Sequence, residues 1–506
     1  MIYIDPPYNT GNDFVYNDDF ARTAAEEDLE AGNVDELGLR YRKNTDSNGK
    51  FHSDWCSMIY SRLLVARSLL TEDGVIFISI DDNELENLKK LCNEVFGENN
   101  FVANIIWQRT YAPISLKKYF SENHDFCLVY AKNLSLFKMN LLPRSDKQNK
   151  DYKNLDNDPR GPWKVGNLTV GPAVEKQIYE IVGPTGKSFF PPSGYCWRFS
   201  KERFEELRKD NRIWFGKDGN NSPVPKLFLT EVQDGVTPMT IWTYDEVGHG
   251  QEATREFRNL MEKSVFTNPK PLRYMNRMLQ IGCNKDSIIL DFFSGSSTTA
   301  HAVMQLNAED GGKRKFIMVQ LPEETPEDSE ARKAGYKTIP EIAKERIRRA
   351  GKKIKEENPL TTQDLDIGFR VFRLDESNYL EVKKSPKEYD QDMLGLFVDN
   401  IKADRTDLDL LFGSMLAWGV QLDMPMTTEE VDGCTVYTVN EGDLVACFSE
   451  PITDKVIQTM ADKMPLRILF RDSCFTDDAQ KINIYEQFKQ LLDWADDEAF
   501  KNIKVI

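Results

Sequence analysis

Long apolar runs are missing from this chain, and that absence excludes a membrane-spanning helix, which needs about 20 consecutive apolar residues. The first residues also lack the basic region and cleavage site of a secretory leader. Histidine is scarce: the four residues His52, His124, His249 and His301 share no spacing with one another or with the eight cysteines. No CxxC pair occurs, so neither a zinc site nor a disulfide framework is expected, and a reduced, cytoplasmic protein is. A GxGxxG fingerprint is absent too, which speaks against a nicotinamide cofactor. Positive charge is in deficit overall, with a formal net charge of −17. The deficit is uneven. Residues 101–230 hold 21 Lys+Arg against 13 Asp+Glu, whereas residues 376–506 hold 13 against 26. A basic middle suits a polyanion such as nucleic acid, and an acidic tail suits a protein-facing or solvating region.

What is present begins at once. The apolar run Met1-Ile2-Tyr3-Ile4 ends in Asp5-Pro6-Pro7-Tyr8. Two prolines fix their own φ and offer no N–H, so a buried strand stops there in a stiff, non-helical turn. Open α/β sheets keep their ligand chemistry at such carboxyl ends of strands. A carboxylate, a rigid carbonyl left free to accept, and an aromatic face together suit a planar base bearing an exocyclic NH2. A strand before which nothing is anchored is unusual, and Met1 is expected to lie inside a longer natural frame.

With 506 residues the chain has room for two to four domains. Residues 9–50 are polar and aperiodic and predict a loop over the site, with a short helix at 24–31. Apolar residues recur at helical spacing over 55–70. Asp73-Gly74 then turns into Val75-Ile76-Phe77-Ile78-Ser79-Ile80, a strand apolar enough to be buried on both faces. Asp81 or Asp82 is placed to cap a helix over 85–96, closed by Gly97. Strands are predicted at 103–108 and 126–132. Between 133 and 265 the alternation stops among prolines, glycines and basic and aromatic residues: Trp163, Lys164, Tyr195, Trp197, Arg198, Trp214, Lys217 and Lys226. These serve either phosphate contact and base stacking or the core of an irregular insertion. Only 201–210 reads as a clear helix there.

The sheet pattern resumes with the strand 287–293, Ser-Ile-Ile-Leu-Asp-Phe-Phe, followed by Ser294-Gly295-Ser296-Ser297-Thr298-Thr299 and a helix. Small residues let a backbone approach a ligand, and the helix amino end offers N–H groups to anionic atoms. A further strand, 315–321, ends near Glu323 and Glu324, where polar groups suit ribose hydroxyls. Asn268-Pro269-Lys270-Pro271 introduces a helix over 272–279. Residues 339–355 predict an amphipathic helix whose Arg346, Arg348, Arg349, Lys352 and Lys353 form a solvated face, with DNA-backbone contact as the alternative. A strand at 366–374 closes this region. The acidic tail alternates short strands (435–439, 444–448, 466–471) with helices near 453–463 and 481–495, a small α/β domain.

Asp5-Pro6-Pro7-Tyr8-Asn9-Thr10 resembles the catalytic motif of amino-group DNA methyltransferases, and Asp291-Phe292-Phe293-Ser294-Gly295-Ser296 resembles their cofactor motif, with Lys270-Pro271 like the segment before it. The order, catalytic motif first, is similar to the circularly permuted β group. Gly11-Asn12-Asp13-Phe14 and Val319-Gln320-Leu321-Pro322-Glu323 look most like the modification subunit of type III restriction–modification systems. The resemblance implies a doubly wound, Rossmann-like α/β methyltransferase sheet. It divides the chain into a catalytic half (1–132), a target-recognition insertion (133–265), a cofactor-binding half (266–375) and an acidic interaction domain (376–506). It implies S-adenosylmethionine as donor and N6 of a flipped adenine as acceptor. Duplex DNA, a second copy of the chain and a restriction subunit follow as partners. Asp5, Pro6, Pro7 and Tyr8 would be catalytic. Phe293, Ser294, Gly295 and Ser296 would form the cofactor pocket, with Asp291 at its strand end and Lys270 nearby. Three departures stand out. Ser297 replaces a frequent glycine, as a helix-initiating serine. Gln320 replaces an acidic ribose partner and leaves Glu323 as substitute. An upstream Gly-Asp strand that helps hold the cofactor's adenine has no counterpart. Methylation of cytosine N4, or a catalytically inert recognition or assembly subunit, are the alternatives.

Overall fold

The computed structural model describes residues 1–11, 14–16, 41–43, 51–113, 118–144, 149–232, 235–380 and 400–506, with 14–16 and 41–43 as backbone alone. The helix expected at 24–31 lies outside them. The chain divides into two compact units, 1–367 and 368–506.

The first unit is built on seven strands: β1 (Ile2–Ile4), β2 (Val75–Ile80), β3 (Phe101–Gln108), β4 (His124–Ala131), β5 (Ile241–Trp242), β6 (Ile288–Asp291) and β7 (Lys315–Met318). They lie in the order β5-β3-β4-β2-β1-β6-β7. All run parallel except β4, which is antiparallel to both neighbours. Helices α1 (Phe51–Leu69), α2 (Leu85–Phe96), α3 (Gly250–Met261), α4 (Leu272–Gly282), α5 (Thr298–Asp310) and α6 (Ile339–Glu357) complete it. This is the expected α/β architecture.

Side-chain alternation sorts the core into two layers. Ile2, Ile4, Ile76, Ile78 and Ile80 face α1 and α2 with Trp55, Ile59, Leu63, Leu88 and Cys92. Tyr3, Val75 and Phe77 face the other way, onto Tyr274, Met275 and Met278 of α4 and Ala302 and Val303 of α5. All six residues of β2 are buried, as its unbroken apolar run requires. Strand β1 pairs with β2 on one side and β6 on the other, so strand order reverses at β1 and a crevice opens at the carboxyl ends of β1 and β6.

Several local expectations change. Helix α2 starts behind Glu84 with no side-chain cap. Asp81, expected there, instead accepts the backbone N–H of Asn83. Residues 366–374 form no strand. The irregular stretch between sheet strands ends at 240 rather than 265, because Ile241 and Trp242 pair with β3 and Trp242 joins the core. Within that stretch burial separates the named residues, with Lys164 and Trp214 half-buried. Trp163, Trp197 and Lys226 are buried, the lysine pairing with Asp156 and Asp158. Tyr195, Arg198 and Lys217 are exposed.

The second unit is a five-stranded sheet, β8 (Met426–Val431), β9 (Cys434–Val439), β10 (Leu444–Cys447), β11 (Ile468–Phe470) and β12 (Ile503–Val505), in that order. The helices Asp454–Asp462 and Asp478–Leu491 pack on one face around Val436, Cys447 and Phe470. Among the described residues no helix is long and apolar enough to cross a membrane.

Ile78 is fully buried at the centre of the main sheet, while Val65 on α1 is 58% exposed. Ile78→Ala is expected to cost the first unit about 2–5 kcal/mol, and Val65→Ala no more than about 0.5 kcal/mol. Urea melts followed by tryptophan emission check this, since Trp55, Trp107, Trp163, Trp197, Trp214 and Trp242 all report on that unit.

Candidate active site

Ile2 stands opposite Leu290, so the corner after β1 and the turn after β6 arrive at one edge of the sheet. They share a cleft of about 380 Å3, lined among others by Asp5, Pro7, Lys270, Asp291, Phe293 to Ser296, Gln320 and Glu323.

The corner is braced from four sides. The Trp55 indole donates to the Pro7 carbonyl at 2.7 Å. Asn9, at φ +58°, donates from its side chain to the Glu84 carboxylate at 2.5 Å. Tyr8 donates its hydroxyl proton to Asp5 Oδ1 at 2.9 Å. Lys270 Nζ donates to Asp5 Oδ2 at 2.5 Å and lies 3.1 Å from the Tyr8 hydroxyl, with its charge 5.2 Å above the Tyr8 ring. Pro6 is buried at the bend, and among the described residues no donor reaches its carbonyl. Burial, reinforced by Asp5, holds the Tyr8 phenol well above its ordinary pKa, so it stays a donor. Asp5 thus has one partner on each oxygen and keeps a second lone pair on each.

Lys270 was expected beside the cofactor turn. It lines the cleft but grips the carboxylate, because Pro269 and Pro271 flank it and Pro271 caps α4. Beneath it, Tyr274 on the same helix and Tyr3 on β1 meet at Ser79, at 3.2 and 3.1 Å.

The second wall is the turn after β6. Asp291 is buried and tied inward: Oδ2 accepts the Thr299 hydroxyl at 2.5 Å and Oδ1 the Phe293 N–H at 3.2 Å. Burial raises its carboxyl to about 7. Gln320 does not stand free. Its Oε1 accepts the Gly295 N–H at 2.7 Å and its amide points to Glu323 at 3.4 Å. Gly295 sits at φ +50°, and a Cβ there would meet the Phe266 ring at 3.3 Å. Ser297 corrects the reading of a helix-initiating serine. It precedes α5 at φ +58°, makes no cap bond, and its buried hydroxyl has no partner. A glycine adopts that conformation without the Cβ clash.

Three groups at this edge escaped the sequence reading. Glu84 anchors Asn9, His52 and Asn87 while fully buried. Asp125, second residue of β4, stands next to Arg109 Nε at 3.1 Å, misaligned for a hydrogen bond, and burial pushes its carboxyl up to about 6. Arg346, expected on a solvated face, is buried and donates to Ser296 and Thr298 at 2.8 and 2.6 Å. The rest of that helix behaves as expected, with Arg348, Lys352 and Lys353 exposed and paired with Glu345, Glu356 and Glu357. For Asp125, the available signal was an acid inside an apolar strand; for Arg346, a cation on the apolar stripe of α6.

Residues 1–331 match the family model described as DNA methylase. The chain is 39% identical over 379 residues to the Type III restriction-modification enzyme StyLTI Mod subunit of Salmonella typhimurium, covering 74% of this chain and 56% of that protein. It is 33% identical over 414 residues to the EcoP15I Mod subunit of Escherichia coli, covering 74% and 61%. To the EcoPI Mod subunit of Escherichia phage P1 it is 35% identical over 407 residues, covering 73% and 61%. The chain therefore spans less than two thirds of the length of each of these relatives.

Two outcomes follow from the second wall. Ser297→Gly should raise the stability of the first unit by about 1 kcal/mol, the cost of a left-handed residue bearing a Cβ, seen as a higher urea midpoint. Asp291 titrates near 7 when folded and near 3.8 when not. Between those values the unfolded chain gives up a proton that the folded chain keeps, so stability falls as pH rises from about 4 to about 7. Asp291→Asn removes that component, and urea midpoints measured at half-unit steps of pH should show a shallower decline across this window.

Proposed function

This chain belongs to the DNA methylase family, and on that premise we propose that it moves a methyl group from S-adenosylmethionine to N6 of an adenine flipped out of duplex DNA. The observation that carries the reading is the shared cleft: a rigid acceptor corner and a serine-rich turn, 286 residues apart in sequence from Asp5 to Asp291, open onto one space. The names of the relatives support assigning it as the modification subunit of a type III system; a restriction subunit and a second copy of the chain as partners, and the cytoplasm as its place, belong to the same proposal. The exposed Tyr195, Arg198 and Lys217 of the insertion supply a surface for DNA in this reading.

The residues of the second wall fit the cofactor. Gly295 keeps its side of the cleft open where a Cβ would press on Phe266, and the buried Ser294 hydroxyl has no partner among the described residues. Phe293, Ser294, Gly295 and Ser296 would hold it, with Asp291 and Glu323 as acidic neighbours. When bound, it supplies an electrophilic methyl group on a sulfonium.

The corner acts on the acceptor. The lone pair of an adenine amino nitrogen is delocalised into the ring, so the nitrogen is a weak nucleophile. Accepting its two N–H bonds at the Asp5 carboxylate and the Pro6 carbonyl favours a tetrahedral nitrogen with its lone pair directed out of the ring plane. Asp5 needs no raised basicity, since the proton becomes acidic only as the new N–C bond forms. Tyr8 stacks on the extruded base and offsets part of the unstacking cost of a few kcal/mol. An aspartate at position 5, where cytosine-N4 enzymes more often resemble a serine motif, favours adenine.

Tritiated methyl transfer to duplex DNA tests this. Asp5→Ala is expected to lower incorporation by about 10²–10³-fold, with the wild-type label recovered as N6-methyladenine on nucleoside analysis. Equal incorporation by both chains would overturn the role of Asp5; label in N4-methylcytosine would overturn the acceptor.

A further inference from the structure

Arg346 is placed where a cation is costly. Its guanidinium is buried, it forms no ion pair among the described residues, and its Nε has no hydrogen-bond partner. The Phe257 ring lies 5.2 Å away, and Glu256 supports the charge only from a distance. Burial drags the guanidinium down to about 9. An isolated buried charge is worth several kcal/mol of destabilisation unless something compensates it. Two bonds do so in part, both from Nη1, to Ser296 Oγ and Thr298 Oγ1.

Those two bonds have a consequence for the cleft that Ser296 and Thr298 line. A guanidinium donates only, so each hydroxyl accepts from it and must direct its own proton elsewhere. Among the described residues nothing accepts either proton, although both side chains are buried. The Ser294 hydroxyl, in the same wall, has no partner among the described residues. Three hydroxyl-bearing residues thus line one cleft, with a positive charge behind two of them and the amino end of α5 beside them. Donors without acceptors, backed by a cation, fit an anionic oxygen pair.

We propose that Arg346 is a positioning residue that turns the Ser296 and Thr298 hydroxyls into donors for a carboxylate, the carboxylate at the amino-acid end of the adenosyl cofactor. The inference rests on the cofactor reading above and adds to it a residue outside both motifs. It also explains why α6 carries one cation inward while its other basic residues face solvent.

The test compares two probes on the 506-residue chain by titration calorimetry: S-adenosylhomocysteine, which has the carboxylate, and 5′-methylthioadenosine, which lacks the amino-acid end. Arg346→Lys is expected to weaken S-adenosylhomocysteine binding by about tenfold or more and to leave methylthioadenosine within about twofold. Equal loss of both probes would mean that Arg346 merely supports the turn, and no loss of either would mean that it does neither; both results overturn the inference. If Arg346→Lys does not fold, Ser296→Ala should show the same selective loss, and its failure to do so overturns the inference equally. Should the unaltered chain bind neither probe, the cofactor reading itself falls and takes this inference with it.

Discussion

One backbone register underlies everything else in the first unit: the parallel pairing of β1 with β6, Ile2 against Leu290. Three residues of strand, all buried, are held between two parallel neighbours, and the hydrogen bond from Leu290 N–H to the Met1 carbonyl at 3.0 Å is part of that ladder. A slip of one residue would exchange Tyr3 for Ile2 and Ile4 across the sheet, moving apolar bulk out of one layer and a hydroxyl into the other. Register is therefore set by the core, and the core in turn sets which groups meet in the crevice. Asp5 reaches Lys270 because the carboxyl end of β1 and the amino end of α4 meet where the two layers have fixed them.

The corner after β1 shows how stiffness is accumulated from ordinary parts. Prolines remove backbone donors and restrict φ, but they do not by themselves hold a carboxylate in place. That is done by Tyr8 and Asn9 within the corner, Trp55 from α1 and Lys270 from the approach to α4. The opposite wall is less relaxed. Ser297 occupies a left-handed conformation with its hydroxyl unpaired, and Asp291 keeps a carboxyl buried at the expense of its ionisation. Strain and unmet polar groups occur elsewhere in the chain as well, but in this wall they stand together on one turn.

Much of this was legible in the sequence because it rests on local pattern. An apolar run bounded by Asp-Pro-Pro or by Asp73-Gly74 is a buried strand for reasons contained within ten residues. The apolar stripe over 55–70 marks a helix for the same kind of reason, and the helix runs from Phe51 to Leu69. The hairpin between β8 and β9 could have been found at Asp432-Gly433, whose positive φ angles suit a tight turn; it was missed because Met426–Val431 is mostly exposed and polar. What the pattern could not carry was partnership across the fold. Arg346 falls on the apolar stripe of α6, unlike Arg348 and Arg349, but its partners Ser296 and Thr298 come only from the packing of α6 against the start of α5. Lys226 is the same case in the insertion, a cation among basic and aromatic residues that proves to be core. Ser297 was misread because cap chemistry is inferred from residue type, whereas its conformation is imposed by the turn from Ser294.

The cleft has a polarity that follows from these partnerships. At the β1 end the unmet groups are acceptors: the Pro6 carbonyl has no donor among the described residues, and Asp5 has lone pairs to spare. At the β6 end they are donors: the hydroxyls of Ser294, Ser296 and Thr298. Lys270 stands at the acceptor end and cancels the charge of Asp5 without removing its capacity to accept, so that end takes up neutral N–H groups on better terms than a second cation. Arg346 stands behind the donor end and does the reverse, adding charge to hydroxyls that are themselves neutral. On the proposed reading, a cleft so arranged favours N–H groups at its acceptor end and a carboxylate at its donor end, and the two reactants are oriented by groups left unpaired among the described residues, before any contact made by the reacting atoms themselves.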